Sequence, residues 1–159
     1  MLYYLTGMTT ERCALLAYHR LEEGLAELDE VALVRTVVAP IRRQEPAHYA
    51  YYQMAASELW GELTTWQRWL VRRLRSVSFT PVGAGTAQQR ADVGDMMAAL
   101  GMASAAEAAD LAEQISRVER DLLWARERGM RVPPYIAQAF AQAVELAAAR
   151  RDHSPAGGH

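Results

Sequence analysis

Between Val34 and Leu59 the chain places a chemically uniform stripe at alternating steps of four and three, with two intruders. The series is Val34, Val38, Ile41, Glu45, His48, Tyr52, Ala55 and Leu59. Such spacing sets all these side chains on one face of a helix. A helix with one apolar stripe must bury it against other elements, and here every other strong pattern is helical too. Ala108, Leu111, Ile115, Val118, Leu122 and Ala125 form a wholly apolar stripe, and Glu11, Ala14, Tyr18, Leu21, Leu25 and Leu28 form a second one headed by a carboxylate. No segment alternates with the period of a strand. The expectation is an all-α fold.

Composition narrows the classes further. A chain of 159 residues, 51% hydrophobic and 8% aromatic, is expected to form one helical domain with a real core. A net charge of −2 and a pI near 6.1 argue against a dedicated nucleic-acid binder. No apolar run reaches the roughly 18 residues of a membrane span. Met1 to Leu5 carries no basic leader, so no signal peptide is expected. The single cysteine, Cys13, excludes an internal disulfide and a Cys-rich zinc site, and fits a reducing cytoplasm.

Local signals predict the elements. Thr9 and Thr10 predict the cap of a first helix running to about Gly24. A second helix is expected from Asp29 to about Trp60, kinked or broken at Pro40 and Pro46. Gly61 predicts a corner before a third helix, Leu63 to Arg75. Ser78 to Gly85 reads as a loop, followed by a short helix from Ala87 to Leu100 closed by Gly101. Ser104 and Glu107 form a capping box for a long helix ending near Gly129. Pro133 and Pro134 open a last helix to about Arg151. The domain is thus expected over residues 1–151, with a disordered tail over 152–159.

Glu45 and His48 are the residues that do not suit a buried seam. A carboxylate there needs a cation, a proton or a strong hydrogen-bond partner. Glu and His at i and i+3, facing into a helical bundle, form the Glu-x-x-His unit that binds iron or manganese in ferritin-like carboxylate proteins. Glu11 continues the face of its own helix and is placed to supply a third ligand. Its alternative is a carboxylate favoured at a helix N-terminus. The alternative for His48 is a core histidine satisfied by a backbone carbonyl or by Tyr49, Tyr51 or Tyr52.

Other candidates are weaker. His19 lies beside the Glu11 stripe, and His153 and His159 fall in the tail. Glu22 is one position off the apolar line and is expected to be solvated. Gly83 and Gly85 lack the strand and the Lys of a phosphate loop. Cys13 has no evident activating base and reads as a small core residue. Asp92 and Asp95 could bind a cation, but an exposed helix face explains them as well. Arg68, Arg72, Arg73 and Arg75 cluster around Trp66 and Trp69. They suit an acidic partner, but cations complementing a helix C-terminus are the reading preferred here.

Taken in order, these motifs resemble the C-terminal half of the soluble acyl-carrier-protein desaturases, which are ferritin-like di-iron enzymes. Glu11-Arg12-Cys13-Ala14-Leu15 precedes Glu45, His48 and Tyr52 (Glu-x-x-His-x-x-x-Tyr) by about thirty residues. A basic helix, a Pro/Gly loop, Asp95-Met96-Met97 and a long helix follow, and the likeness spans about Thr10 to Ala149. The resemblance implies a ferritin-like bundle in which Glu11, Glu45 and His48 are one half-set of ligands to a di-iron centre. Glu45 would bridge the irons, Glu11 and His48 would be terminal ligands, and Tyr52 would stand behind them. It also implies dioxygen-dependent removal of two hydrogens from an acyl chain, with acyl carrier protein and a ferredoxin-like electron donor as partners.

The chain departs from that pattern. It has no second Glu-x-x-His, no carboxylate in the Ala108–Ala125 stripe, Ala14 where the family usually has Thr, and Pro46 beside a ligand. The start, ten residues before a ligand, reads as truncated. A homodimer is therefore expected, joining two half-sets across a two-fold axis. The competing expectations are a non-catalytic helical scaffold, in which Glu45 and His48 bond each other, and a different ferritin-like iron oxidase.

Overall fold

The computed structural model describes residues 1–153, and every regular element among them is helical. In chain order these are α1 (Leu2–Glu27), α2 (Val31–Leu33), a π-helical stretch (Val34–Val38), α3 (Ala39–Glu62), α4 (Thr65–Ser78), a 3₁₀ turn (Pro81–Gly83), α5 (Ala87–Ala99), α6 (Ala105–Leu123) and α7 (Pro134–His153). The expected tail beyond His153 lies outside the described residues, while Asp152 and His153 still belong to α7.

Helix α1 starts a full two turns earlier than Thr9 and Thr10 suggest. Leu5 and Met8 are buried with Ala56, Trp60 and Leu123, so burial holds the first turns in helix without a side-chain cap. Thr9 is an interior residue whose hydroxyl donates to the Leu5 carbonyl at 2.8 Å. Pro40 and Pro46 do not break the second rod. The backbone stays helical from α2 through the π stretch into α3. Pro40 lacks the N–H of a regular turn, and the wider π turns lie directly before it. Pro46 is exposed, and the carbonyl it fails to engage can face solvent.

The corner falls at Leu63 and Thr64 instead of Gly61. Leu63 is extended, and Thr64 with Gln67 forms a capping box that opens α4. The Ser104–Glu107 box opens α6 as expected. That helix ends at Leu123, well before Gly129, because Trp124 leaves the helical conformation. Its indole N–H then donates to the Tyr135 hydroxyl at 3.2 Å. The chain turns through Gly129 at φ +84° to reach Pro133 and Pro134.

Two apolar cores result. The larger joins α5, α6 and α7 through Met97, Leu111, Ile115, Ile136 and Phe140, and Cys13 and Leu16 of α1 pack on it. Gly94 makes the crossing of α5 and α7 possible, because a Cβ there would overlap the Ala143 carbonyl and the Ala147 side chain. Asp92 and Asp95 pair with Arg150 and Arg151 along this crossing. The smaller core joins the start of α1, the end of α3 and Leu123.

A buried polar network connects the cores. Arg75 of α4 grips Glu119 of α6 with Nε to Oε1 at 2.9 Å and Nη2 to Oε2 at 3.0 Å. It also donates to Thr6 at 3.0 Å and Thr9 at 2.9 Å, and Tyr135 donates to Glu119 at 2.6 Å. Arg75 is 3% exposed and Glu119 is fully buried. The expectation that Arg75 serves only a helix dipole is thereby corrected. Glu119 escapes the Ala108–Ala125 stripe because it stands one position to its side, in line with Ile115 and Leu123.

Candidate metal centre

Glu11, Glu45 and His48 meet between α1 and α3. One ligand atom from each lies within 4.8 Å of the others. The two helices pack along one another, so a face on α1 and a face on α3 converge at this level. His48 Nδ1 stands 3.7 Å from Glu45 Oε2. His48 is exposed, with no phenol or backbone carbonyl bonded to it, so it is not a satisfied core histidine. Glu45 is half-buried, and its Oε2 is shielded from solvent without any hydrogen-bond partner. Glu11 lies deep within α1, as its tenth residue, so the helix N-terminus does not account for its placement.

Electrostatics mark the same spot. A proton shared with Glu45, then burial and the Glu45 charge, push Glu11 up to about 7, with His48 pulling the other way. Two carboxyl groups and an imidazole brought together here form a donor set able to exchange the Glu11 proton for a divalent cation. Carboxylate and imidazole oxygen and nitrogen atoms suit iron or manganese, and no soft thiolate stands among them. The described residues fit the ion that the ligand pattern implies.

Tyr52 lies one turn beyond His48. Its ring covers Gly7, where a Cβ would overlap it, and its hydroxyl is 3.4 Å from that of Tyr3. The bond to Tyr3, then burial and nearby charge including that of Glu11, hold Tyr52 up at about 12. Tyr3 is a site neighbour that the sequence reading missed. The signal was present, since Tyr3, Gly7 and Glu11 succeed one another at steps of four on α1. Glu22 was also misjudged: it is half-buried and pairs with Arg42, tying α1 to the ligand-bearing rod beyond the centre.

One turn along α1 from Glu11 an apolar groove of about 420 Å³ opens toward α5. Ala14, Ala17, Tyr18 and Leu21 line one wall, and Met96 and Leu100 line the other. Cys13 sits in the same groove with its thiol pushed up to about 12 by burial, which agrees with an inert packing role. His19 stays on the surface, 3.4 Å from Glu23.

The fold and the cluster together define an all-α protein with a carboxylate–histidine centre between two of its helices. Comparison of the chain with protein-family models, with curated proteins and with solved structures gives no match.

Proposed function

We propose that the protein is a ferritin-like metal protein in which Glu11, Glu45 and His48 hold one ion, with iron the metal that the desaturase resemblance implies. In this reading two copies pool their ligands across a two-fold axis, giving two carboxylates and two Glu-x-x-His units. The observation that carries it is the convergence of the three ligand atoms within 4.8 Å, with Glu45 Oε2 buried and unpartnered. Self-association is supported by the exposed apolar residues of the same two rods, Leu21 and Leu28 on one and Val37, Ile41 and Tyr51 on the other.

When bound, the metal pair would supply dioxygen activation for removing hydrogens from an acyl chain. The chain's own residues do the rest. Glu11 would give up its proton in favour of an ion held there, which a carboxyl near 7 does readily. Tyr52 stays protonated and keeps its ring over Gly7, which holds α1 and α3 together one turn beyond His48. The groove one turn along α1 from Glu11 is walled by apolar side chains and matches an acyl chain in character. An acyl carrier protein, a ferredoxin-like donor and a cytoplasmic setting belong to the same reading.

The test is iron per chain after anaerobic loading, measured on a size-exclusion peak of known mass. About one iron per chain in a dimer is expected, lost in Glu45→Ala and His48→Ala. No bound metal, with both variants as stable as the parent, overturns the proposal in favour of a helical scaffold whose Glu11 and Glu45 share a proton. A loaded dimer that oxidises no acyl chain overturns the acyl assignment and leaves another iron oxidase of the same fold.

A further inference from the structure

Helix α4 is amphipathic in the inverted sense. Arg68, Arg72 and Arg75 point into the protein, while Trp66, Trp69, Leu70, Leu74 and Val77 point out of it, with Trp66 64% and Val77 69% exposed. The inward arginines are held by named partners. Arg68 donates to the Trp60 and Gly61 carbonyls, Arg72 donates to the Leu123 carbonyl, and Arg75 grips Glu119. Arg68 and Arg72 also lie over the Trp60 ring at 5.5 and 5.3 Å. The outward face is an apolar stripe about three turns long, interrupted only by Arg73. Trp66 and Trp69 stack on one another there at 4.6 Å.

A second, separate feature adjoins that stripe. Arg68, Arg72 and Arg126 line one pocket of about 150 Å³ with Thr65 and Trp60. Trp69 is four residues from Thr65 and three from Arg72, so it borders the pocket on the helix surface. Among the described residues, no carboxylate lies within ion-pair distance of Arg68, Arg72, Arg73 or Arg126. Helix α4 itself contains no acidic residue. In a chain of net charge −2, this is a local concentration of unneutralised cations beside exposed tryptophans.

We infer that α4 lies on an anionic lipid surface, with its Trp/Leu/Val stripe at headgroup depth and the exposed Arg73 and Arg126 holding lipid phosphates. A helix with a strong apolar face, flanking arginines and interfacial tryptophans has the make-up of an in-plane membrane helix. No helix of the described residues is long and apolar enough to cross a membrane, so the contact is one of lying on the surface. Charge decides among occupants. A second copy seated two-fold on this face would bury two Arg73 side chains in one apolar interface with no carboxylate of α4 to neutralise them. An anionic surface neutralises them, and a convex stripe meets a planar headgroup layer along its whole length.

The experiment is flotation of the full chain with phosphatidylcholine vesicles, alone or with about one third phosphatidylglycerol, read also by tryptophan emission. Expected are binding to the anionic vesicles only, a blue shift on binding, and weakening by salt. Trp66→Gln/Trp69→Gln should lose at least about tenfold in binding, and Arg73→Glu/Arg126→Glu should lose a similar amount with the apolar face intact. All four positions are exposed, so unchanged circular dichroism certifies the fold of each variant. No flotation, or equal binding to neutral vesicles, overturns the inference. So does a dimer that becomes monomeric in the tryptophan variant, which assigns the face to a second copy. Tighter binding to polyglutamate than to the anionic vesicles overturns it in favour of an acidic protein. None of these readouts involves Glu11, Glu45 or His48, so they stand apart from the metal proposal.

Discussion

Arg75→Met removes one half of a buried ion pair, and the guanidinium that lies over the Phe79 ring, while keeping most of the aliphatic stem. The Glu119 carboxylate, fully buried, then loses both bonds of the guanidinium fork, at 2.9 and 3.0 Å. Thr6 and Thr9 lose their donor as well. What remains for Glu119 is the Tyr135 hydroxyl at 2.6 Å and Thr9 Oγ1 at 3.3 Å. Breaking a buried pair by removing one partner costs about 3–5 kcal/mol, and the surviving Tyr135 bond places this variant near the lower figure. For a domain of this length that corresponds to a fall in Tm of roughly 6–12 °C. Urea unfolding followed by circular dichroism measures it directly, with the slope checked for two-state behaviour. Arg75→Met/Glu119→Leu should recover most of the loss, since no uncompensated charge is left inside. A loss below about 1 kcal/mol for the single variant, or a double variant worse than the single, would refute the claim that this pair ties α4 to the bundle.

Three further outcomes are expected. Glu11 is held above the usual carboxylate range, so the stability tied to its proton is complete below about pH 4.5 and is lost as pH rises through about 7. Glu11→Gln should flatten that part of the metal-free stability profile, by on the order of 1 kcal/mol after solvent screening, as urea titrations at pH 5 and pH 8 would reveal. Iron entering the cluster competes with the same proton, so apparent affinity should climb by up to about tenfold per pH unit below about 7 and level off above it. A pH-independent affinity measured by chelator competition would separate Glu11 from the ion. Gly94→Ala should destabilise by about 2 kcal/mol, because its Cβ meets the Ala143 backbone, whereas Gly24→Ala, open on all sides, should stabilise α1 by about 0.5–1 kcal/mol. Paired thermal melts of the two variants would test this contrast.

The helices were legible where periodicity and capping agree. Ser104 with Glu107, and Gly101 after the Ala87 helix, place their ends within a residue. The meeting of Glu11 with Glu45 and His48 was legible because each breaks an apolar stripe, and two such stripes on paired helices tend to face one another. Three features resisted. The start of α1 depends on Leu5 finding Trp60 and Leu123, partners far along the chain. The end of α6 depends on Trp124 turning toward Tyr135. Helix α4 has a clear amphipathic pattern, yet the pattern alone points its tryptophans inward. Partners from elsewhere in the chain, the Glu119 carboxylate and the Trp60, Gly61 and Leu123 carbonyls, turn the arginine side to the interior.

Burial along the α1–α3 pair gives out where the ligands begin. On α1 no residue after Thr9 is buried, and between Val38 and Ala56 none on the partner rod is either. The far end, from about Tyr18 round to Ile41, has Val38 as its one buried residue and is therefore a lever with a weak hold, and its amides should exchange with solvent well before those of the cores. Glu11, Glu45 and His48 stand at its fulcrum. An ion gripped there would act as a clasp on everything beyond it, making the order of that arm depend on occupancy and slowing exchange by the free energy of binding.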